Sequence, residues 1–188
     1  MEKNQAIIEI QKMIRSKIIY PAQAKNITVY DTDGNIFYDL GYDGFYQEDV
    51  DRILSQLEEQ EQDVWAYAHT YRDRNILVLG RRIYEQYSKS RVIGYTLISI
   101  EEKIFSKTVL EPVGLSDSSN IMYMNLDGTV LSSWNRSIAL GEKTNEELLK
   151  KIQERLPKKT DSFSIQEDGE EQPVSYTHLR AHETSAHL

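Results

Sequence analysis

The side chains most able to do chemistry are few. Three of the four histidines, His178, His182 and His187, crowd the end of the 188-residue chain. His178 and His182 stand at i, i+4 and Glu183 follows, which starts the pattern of a zinc-peptidase helix. The pattern then fails: HExxH needs a second histidine four positions on, and His187 comes five after His182. On a helix that turns it about 140° off a shared face. Cysteine is absent, so there is no disulfide frame and no thiolate metal site. There is also no nucleophile–histidine–acid set and no phosphate loop. An enzyme would have to run its acid–base chemistry on His69 alone. The expectation is a chain without catalytic residues, metal or cofactor.

Residues suited to binding lie between positions 64 and 95. In VWAYAHTY, Trp65, Tyr67, His69 and Tyr71 alternate, so a strand over Val64–Tyr71 would bring them to one face. Trp65 and Tyr67 can stack on a small molecule. His69 can hydrogen-bond and changes charge near neutral pH. Arg81 or Arg82 can fork onto a carboxylate, and Tyr84 and Tyr95 offer hydroxyls. The candidate ligand-binding set is therefore Trp65, Tyr67, His69, Arg81, Tyr84 and Tyr95. Trp65, Tyr67 and Tyr95 suit sheet core or cross-strand pairs equally well, and His69, near a strand end, suits an exposed position. The acidic run Glu58, Glu59, Glu61 and Asp63 reads as a solvated helix end.

Composition narrows the partners. The sequence carries 22 basic and 30 acidic side chains, a net charge of −8. That balance disfavours nucleic acid, whose phosphates need a basic stripe, and equally disfavours anionic lipid. Hydrophobic residues at 39% and charged residues at 28% are ordinary for a globular chain. No run approaches the ~18 apolar residues of a membrane span, and Met1–Ile10 has no signal-peptide pattern. The piece is expected to be soluble.

The elements that would position these residues occur twice. NITVYDTDGNIF at 26–37 matches NIMYMNLDGTVL at 120–131 with a constant offset of 94. Each is a pair of β-rich arms around Asp-Gly, the dipeptide of a type I′ hairpin turn. A helix follows each hairpin. Val50, Ile53, Leu54 and Leu57 form one stripe, and Leu149, Ile152 and Leu156 form the other. Thr144 and Glu147 read as a capping box for the latter, which stops at Pro157. A helix also precedes each hairpin. Ile7, Ile10, Ile14 and Ile18 mark the first; Ser99 with Glu102 caps the second, which runs to about Leu110. After the helix at 50–57 come three strand-like runs, Val64–Tyr71, Asn75–Tyr84 and Val92–Ile100. The fold class is α+β, a five-stranded antiparallel sheet with flanking helices. It is followed by a second unit with one short strand, Ser162–Ile165, whose order should be poor. The expected domains are a helix at 1–20, a complete unit at 21–100, an incomplete unit at 101–172 and a non-native tail at 173–188. The tail is set apart because PVSYTHLRAHETS resembles the translated read-through of a sequencing adapter.

NITVYDTDGNIF, GRRIYEQYSKSRVIGYTLISIEEKIFSK and NIMYMNLDGTVLSSWN together resemble tandem Cache (PAS-like) units. The order in which they stand is similar to that of the ectodomain of YesM-type sensor histidine kinases. Related double-Cache ectodomains occur on chemotaxis receptors, diguanylate cyclases and membrane-bound AraC-type regulators. The resemblance implies an extracytoplasmic, small-molecule-sensing domain of a transmembrane receptor, homodimeric in its parent and anchored by segments outside this chain. It also implies a ligand between the distal sheet and the helix and loops covering one face, taken here as the face of the Trp65 row. The Arg–Trp pattern of amino-acid-binding members is not found, since no Arg precedes Trp65 at a short spacing. A dimerisation module without ligand is the alternative.

Overall fold

The computed structural model of the chain describes residues 24–41, 43–60, 62–85, 88–113, 120–134, 139–158, 160–167 and 169–177. The helix expected at 1–20 lies outside them, as do His178, His182 and His187.

Five strands make one antiparallel sheet: β1 (Ala24–Tyr30), β2 (Ile36–Leu40), β3 (Val64–His69), β4 (Asn75–Glu85) and β5 (Ser88–Glu101). Their spatial order is β2-β1-β5-β4-β3. The last strand in sequence is thus the central one, paired with both β1 and β4. Helix α1 (Gln47–Glu59) fills the connection from β2 to β3. Val50, Ile53, Leu54 and Leu57 are all buried on it, as their i, i+3, i+4, i+7 spacing requires. They pack on Ala66, Ala68, Ile76, Val78 and Leu97, with Tyr30, Phe45 and Tyr95 closing the ends of the cluster. The first turn of α1 is tied to β3: the Asp49 carboxylate accepts the His69 N–H at 2.9 Å, and Arg52 donates to the Tyr67 carbonyl at 2.6 Å.

The second hairpin, β6 (Ile121–Met124) with β7 (Val130–Trp134), repeats the first position for position. Ile27 faces Leu40 and Ile121 faces Trp134. Tyr30 faces Ile36 and Met124 faces Val130. The β-bulge between Val29 and Tyr30 recurs between Tyr123 and Met124. The turns match as well, with Gly34 N–H donating to Asp31 O and Gly128 N–H to Asn125 O. The type I′ turn expected from Asp-Gly does not form. Backbone φ is positive at Gly34 (78°) and Gly128 (84°) but at neither aspartate. The loops have three residues and end on a left-handed glycine, so only that residue needs the special conformation. Asp31 supports its loop by accepting the N–H groups of Asp33 and Asn35 at 3.0 and 2.8 Å.

Between the hairpins, α2 (Glu102–Phe105) continues as wide π-type turns over Ser106–Leu110 and a tight turn over Glu111–Val113. After β7 come α3 (Glu146–Gln153) and a further hairpin, β8 (Thr160–Glu167) with β9 (Glu170–Thr177). Both expected capping boxes are corrected. Ser99 belongs to β5, where its Oγ accepts the Asn26 N–H, and Glu102 is turned inward. Asn145, not Thr144, caps α3 by accepting from Glu147 N and Leu148 N. Leu148 is the buried residue of that helix, beside the expected Leu149. The single strand expected at Ser162–Ile165 is instead the middle of an eight-residue arm of a hairpin. The other arm takes in Pro173 to Thr177, from the segment set apart as non-native.

Leu57 is 0% exposed under the sheet. Leu57→Ala is expected to lower unfolding free energy by about 2–5 kcal/mol. Ser55→Ala, on the exposed side of α1, should change it by less than about 0.5 kcal/mol. Equal denaturant midpoints for the two variants would refute this packing.

Candidate functional site

Pairing in an antiparallel sheet puts opposed residues on one face, which sorts the six candidate residues. On β3, Val64, Ala66 and Ala68 face α1 and join its core. Trp65, Tyr67 and His69 therefore point the other way, opposite Leu79, Leu77 and Asn75 of β4. The expectation that the Trp65 row lies under the covering helix is thus corrected. The alanines take that side because they let α1 approach the sheet closely. The strand also ends at His69, so Tyr71 leaves the row; it is exposed in the β3–β4 turn, edge-on to Tyr46 at 5.3 Å.

The Trp65 row is covered by the second hairpin. Tyr67 and Leu77 cluster with Leu131, and Trp65, Phe105, Tyr123 and Leu140 pack around them. Trp65 meets Tyr123 edge to face at 6.1 Å, and Phe105 meets the same ring at 5.4 Å. Asn125 donates to the Trp65 carbonyl at 3.0 Å. Gly141, with φ of 82°, lies against the Tyr67 ring, where a Cβ would come within 2.7 Å of Cδ1. Glycine is the residue that allows both the conformation and the approach.

Polar groups thread this apolar junction, where burial favours hydrogen-bonded partners. The Tyr67 hydroxyl donates to Asn75 Oδ1 at 2.7 Å and lies 2.8 Å from His69 Nε2. With its one proton on Asn75, the hydroxyl accepts from His69. His69 is half-buried rather than solvated. Glu102, 1% exposed, accepts the Ser132 hydroxyl at 2.7 Å. Burial, followed by the carboxylates of Glu102, Asp49 and Asp73, pushes the Tyr67 phenol up to about 12. Glu102, Asn75, Asn125 and Ser132 were not found from the sequence. Two of them carried a signal: Ser132 and Ser133 interrupt an apolar strand, and Asn125 occupies the repeat position of Asp31.

The other candidates are elsewhere. Tyr95 is on the α1 side, its hydroxyl 3.4 Å from the Glu58 carboxylate. Burial and then Glu58 raise its pKa. Arg82 donates to the carbonyls of Leu57 and Glu58, closing the C-terminal end of α1. Arg81 forks onto Asp63 with bonds of 3.0 and 3.1 Å from Nε, and donating to the Asp63 carboxylate raises its pKa. Tyr84 is exposed toward the far end of β4. Arg81, Tyr84 and Tyr95 thus share one end of the sheet but not one face. Among the described residues a cleft of about 90 Å³ lies beside Asn26, Thr70 and Arg74 and a groove of about 430 Å³ at Glu154, Arg155, Pro157 and Lys158; none of the six lines either. Among the described residues no group of three or more His, Asp or Glu side chains could hold a metal ion, and no helix is long and apolar enough to cross a membrane.

Tyr67→Phe is expected to cost about 1 kcal/mol through the lost hydroxyl bonds. A phenol raised from 10 to about 12 adds stability below pH 10 that drains away as pH climbs to 12. Tyr30, also raised to about 12, acts in the same window. Denaturant melts from pH 9 to 12 should therefore show a shallower alkaline decline in Tyr67→Phe than in the parent. Parallel curves would disprove the Tyr67 environment.

No protein-family model matches the sequence. No curated protein matches it either. Among solved structures the chain is similar to the "extracellular domain of the putative histidine kinase rpHK1S-Z16", at 17% identity and a TM-score of 0.60. That likeness covers 94% of this chain and 81% of the other. The likeness is one of fold, a PAS-like α+β arrangement of a five-stranded antiparallel sheet with flanking helices.

Proposed function

We propose that this chain is the extracytoplasmic sensory part of a transmembrane signalling receptor, a double-Cache sensor of the kind carried by YesM-type histidine kinases in two-component systems. The observation that carries this reading is the likeness in fold, over nearly the whole chain, to an extracellular domain of a protein described as a histidine kinase. The duplicated hairpin supports the tandem arrangement, since the two copies share register, bulge and turn across 94 positions. In this reading the units divide near residue 100, and the parent works as a homodimer held in the membrane by segments outside this chain. The fragment itself catalyses nothing.

A small molecule is the proposed input. Tyr95, Tyr84 and Arg81, at the end of the sheet beside the C-terminus of α1, are proposed to contact it. Arg81 already holds a carboxylate, that of Asp63, in the geometry an acidic ligand would take. Trp65, Tyr67 and His69 are proposed to pass occupancy on to the second hairpin, on which they rest. One observation favours the alternative, a dimerisation module without ligand: the aromatic row best suited to stacking on a ligand is already taken up in packing.

A thermal-shift screen of the purified chain against sugars, organic acids and short peptides separates the two readings. A ligand of the native state at 100 times its Kd adds about 2.7 kcal/mol. One chemical class is expected to raise Tm, and Arg81→Ala to blunt the rise. No shift from any class, with Trp65 fluorescence unmoved, would leave the dimerisation module.

A further inference from the structure

Where β3 turns into β4, three segments close on one cleft. The turn is tight: Asp73 N–H donates to Thr70 O at 2.8 Å, Thr70 N–H to Arg74 O at 3.1 Å, and Arg74 N–H to Thr70 Oγ1 at 3.4 Å. Asp73 takes a left-handed φ of 56°, which aspartate adopts more readily than most residues. Arg72 and Arg74 stand on either side of it. The loop before α1 is tied to this turn, because Tyr71 N–H donates to Gly44 O at 3.0 Å and the Tyr71 ring occupies the space of a Gly44 Cβ. The same loop is tied to β1 by a hydrogen bond from Asn26 Nδ2 to the Asp43 carbonyl. Lys25 of β1 and Glu101 of β5 pair at 3.3 Å on the remaining side. Asp43, Thr70, Arg72 and Arg74 line the cleft together with that pair.

The charges of the cleft do not cancel within it. Lys25 and Glu101 answer each other, but the guanidinium groups of Arg72 and Arg74 have no carboxylate partner among the described residues. Asp43 lines the same cleft, and its Oδ2 is buried with no donor among the described residues. An occupant suited to all three accepts from guanidinium groups and donates to a carboxylate. At about 90 Å³ the cleft also calls for a small occupant, since ordinary ligand pockets run to ~300–1,000 Å³. We propose that the cleft binds one inorganic phosphate ion as hydrogen phosphate. Arg72 and Arg74 hold its oxygens, for which the guanidinium fork is suited, and Asp43 Oδ2 accepts its P–O–H. Asp43 is the selective element. Sulfate has no proton to offer at neutral pH, so it sets oxygen lone pairs against a carboxylate. A phosphate monoester loses its last proton above about pH 6 and meets the same repulsion. The cleft is separate from Arg81, Tyr84 and Tyr95, which lie toward the other end of the sheet, and the inference is independent of the sensory reading.

The test is calorimetric titration of the full-length chain with sodium phosphate, sodium sulfate, methyl phosphate and glycine at pH 8 and low salt. Phosphate is expected to saturate one site, with sulfate and methyl phosphate weaker by about tenfold or more. Arg72→Ala and Arg74→Ala should each weaken phosphate by about tenfold. Asp43→Asn should abolish the preference for phosphate over sulfate, because the amide can donate to either ion. Four results would overturn the proposal. One is no saturable phosphate binding. Another is equal affinity for phosphate and sulfate in the parent, which would leave a basic patch in which Asp43 takes no part. A third is phosphate affinity unmoved by both arginine variants. The last is tighter binding of glycine than of phosphate, which would make an amine the donor to Asp43. Both arginines are exposed, so their variants and the parent's phosphate-to-sulfate ratio decide the matter even where Asp43→Asn fails to fold.

Discussion

β3 is a strand with two apolar faces, and the rest of the molecule is arranged around that fact. Successive side chains on a strand point to opposite sides, so Val64, Ala66 and Ala68 call for cover on one side and Trp65 and Tyr67 on the other. An edge strand that is apolar on both sides exposes a sticky surface unless both are covered. α1 takes the side of small residues, where a helix can come close, and Leu57 is driven fully under the sheet. The second hairpin takes the side of large rings, where Tyr123, Leu131 and Phe105 fill the space. The five-stranded unit is therefore not a closed body to which a second unit is appended. Its outer face is finished by residues that lie beyond position 100.

The duplication shows how little of a fold depends on local sequence and how much on neighbours. Both hairpins form because two β-rich arms meet a loop ending in glycine, and that is enough to repeat register and bulge across 94 residues. Burial does not repeat with it. Ile27 and Ile121 are the same residue at the same register, yet only the first is sealed, because β5 lies beside it. A buried backbone group needs a partner and a buried side chain needs a wall; both come from the central strand, the last of the five to be made.

What could be read in the sequence was what depends on period. The stripe of α1, the five strands of the first sheet and the offset of the repeat follow from spacing alone, and the α+β fold follows from them. What could not be read was which row of a strand faces which neighbour. VWAYAH alternates perfectly, but alternation assigns two rows without ranking them. The larger row looked like the natural floor of a binding site under the helix; helix packing instead selected the row of alanines. The caps failed for a related reason. Ser99 and Glu102 have capping-box spacing, but β5 continues through Ser99, so its hydroxyl serves the Asn26 amide and Glu102 is carried into the junction to meet Ser132. The turn type was misjudged because Asp-Gly supports two loops. In this one Asp31 holds the N–H groups of Asp33 and Asn35, and a single left-handed residue suffices.

The same two-sidedness makes β3 the mechanical link between the helix and the second hairpin. Asp49 and Arg52 grip its backbone at His69 N–H and Tyr67 O from the α1 side. From the other side Asn125 grips it at Trp65 O, while Gly141 rests on the Tyr67 ring. Packed interfaces of this kind do not deform continuously, because a ring backed by a glycine has no slack to absorb a shift. A displacement of α1 relative to the sheet would act on the peptide units that carry Tyr67 and His69, and those side chains stand against the second hairpin. Two polar groups set the register of that contact: the Tyr67 hydroxyl, held by Asn75 and His69, and the Glu102 carboxylate, held by Ser132. A sliding movement would strip a buried partner from one or both, at about 1–3 kcal/mol for each group left unsatisfied. The junction therefore favours one seating of the second hairpin on β3.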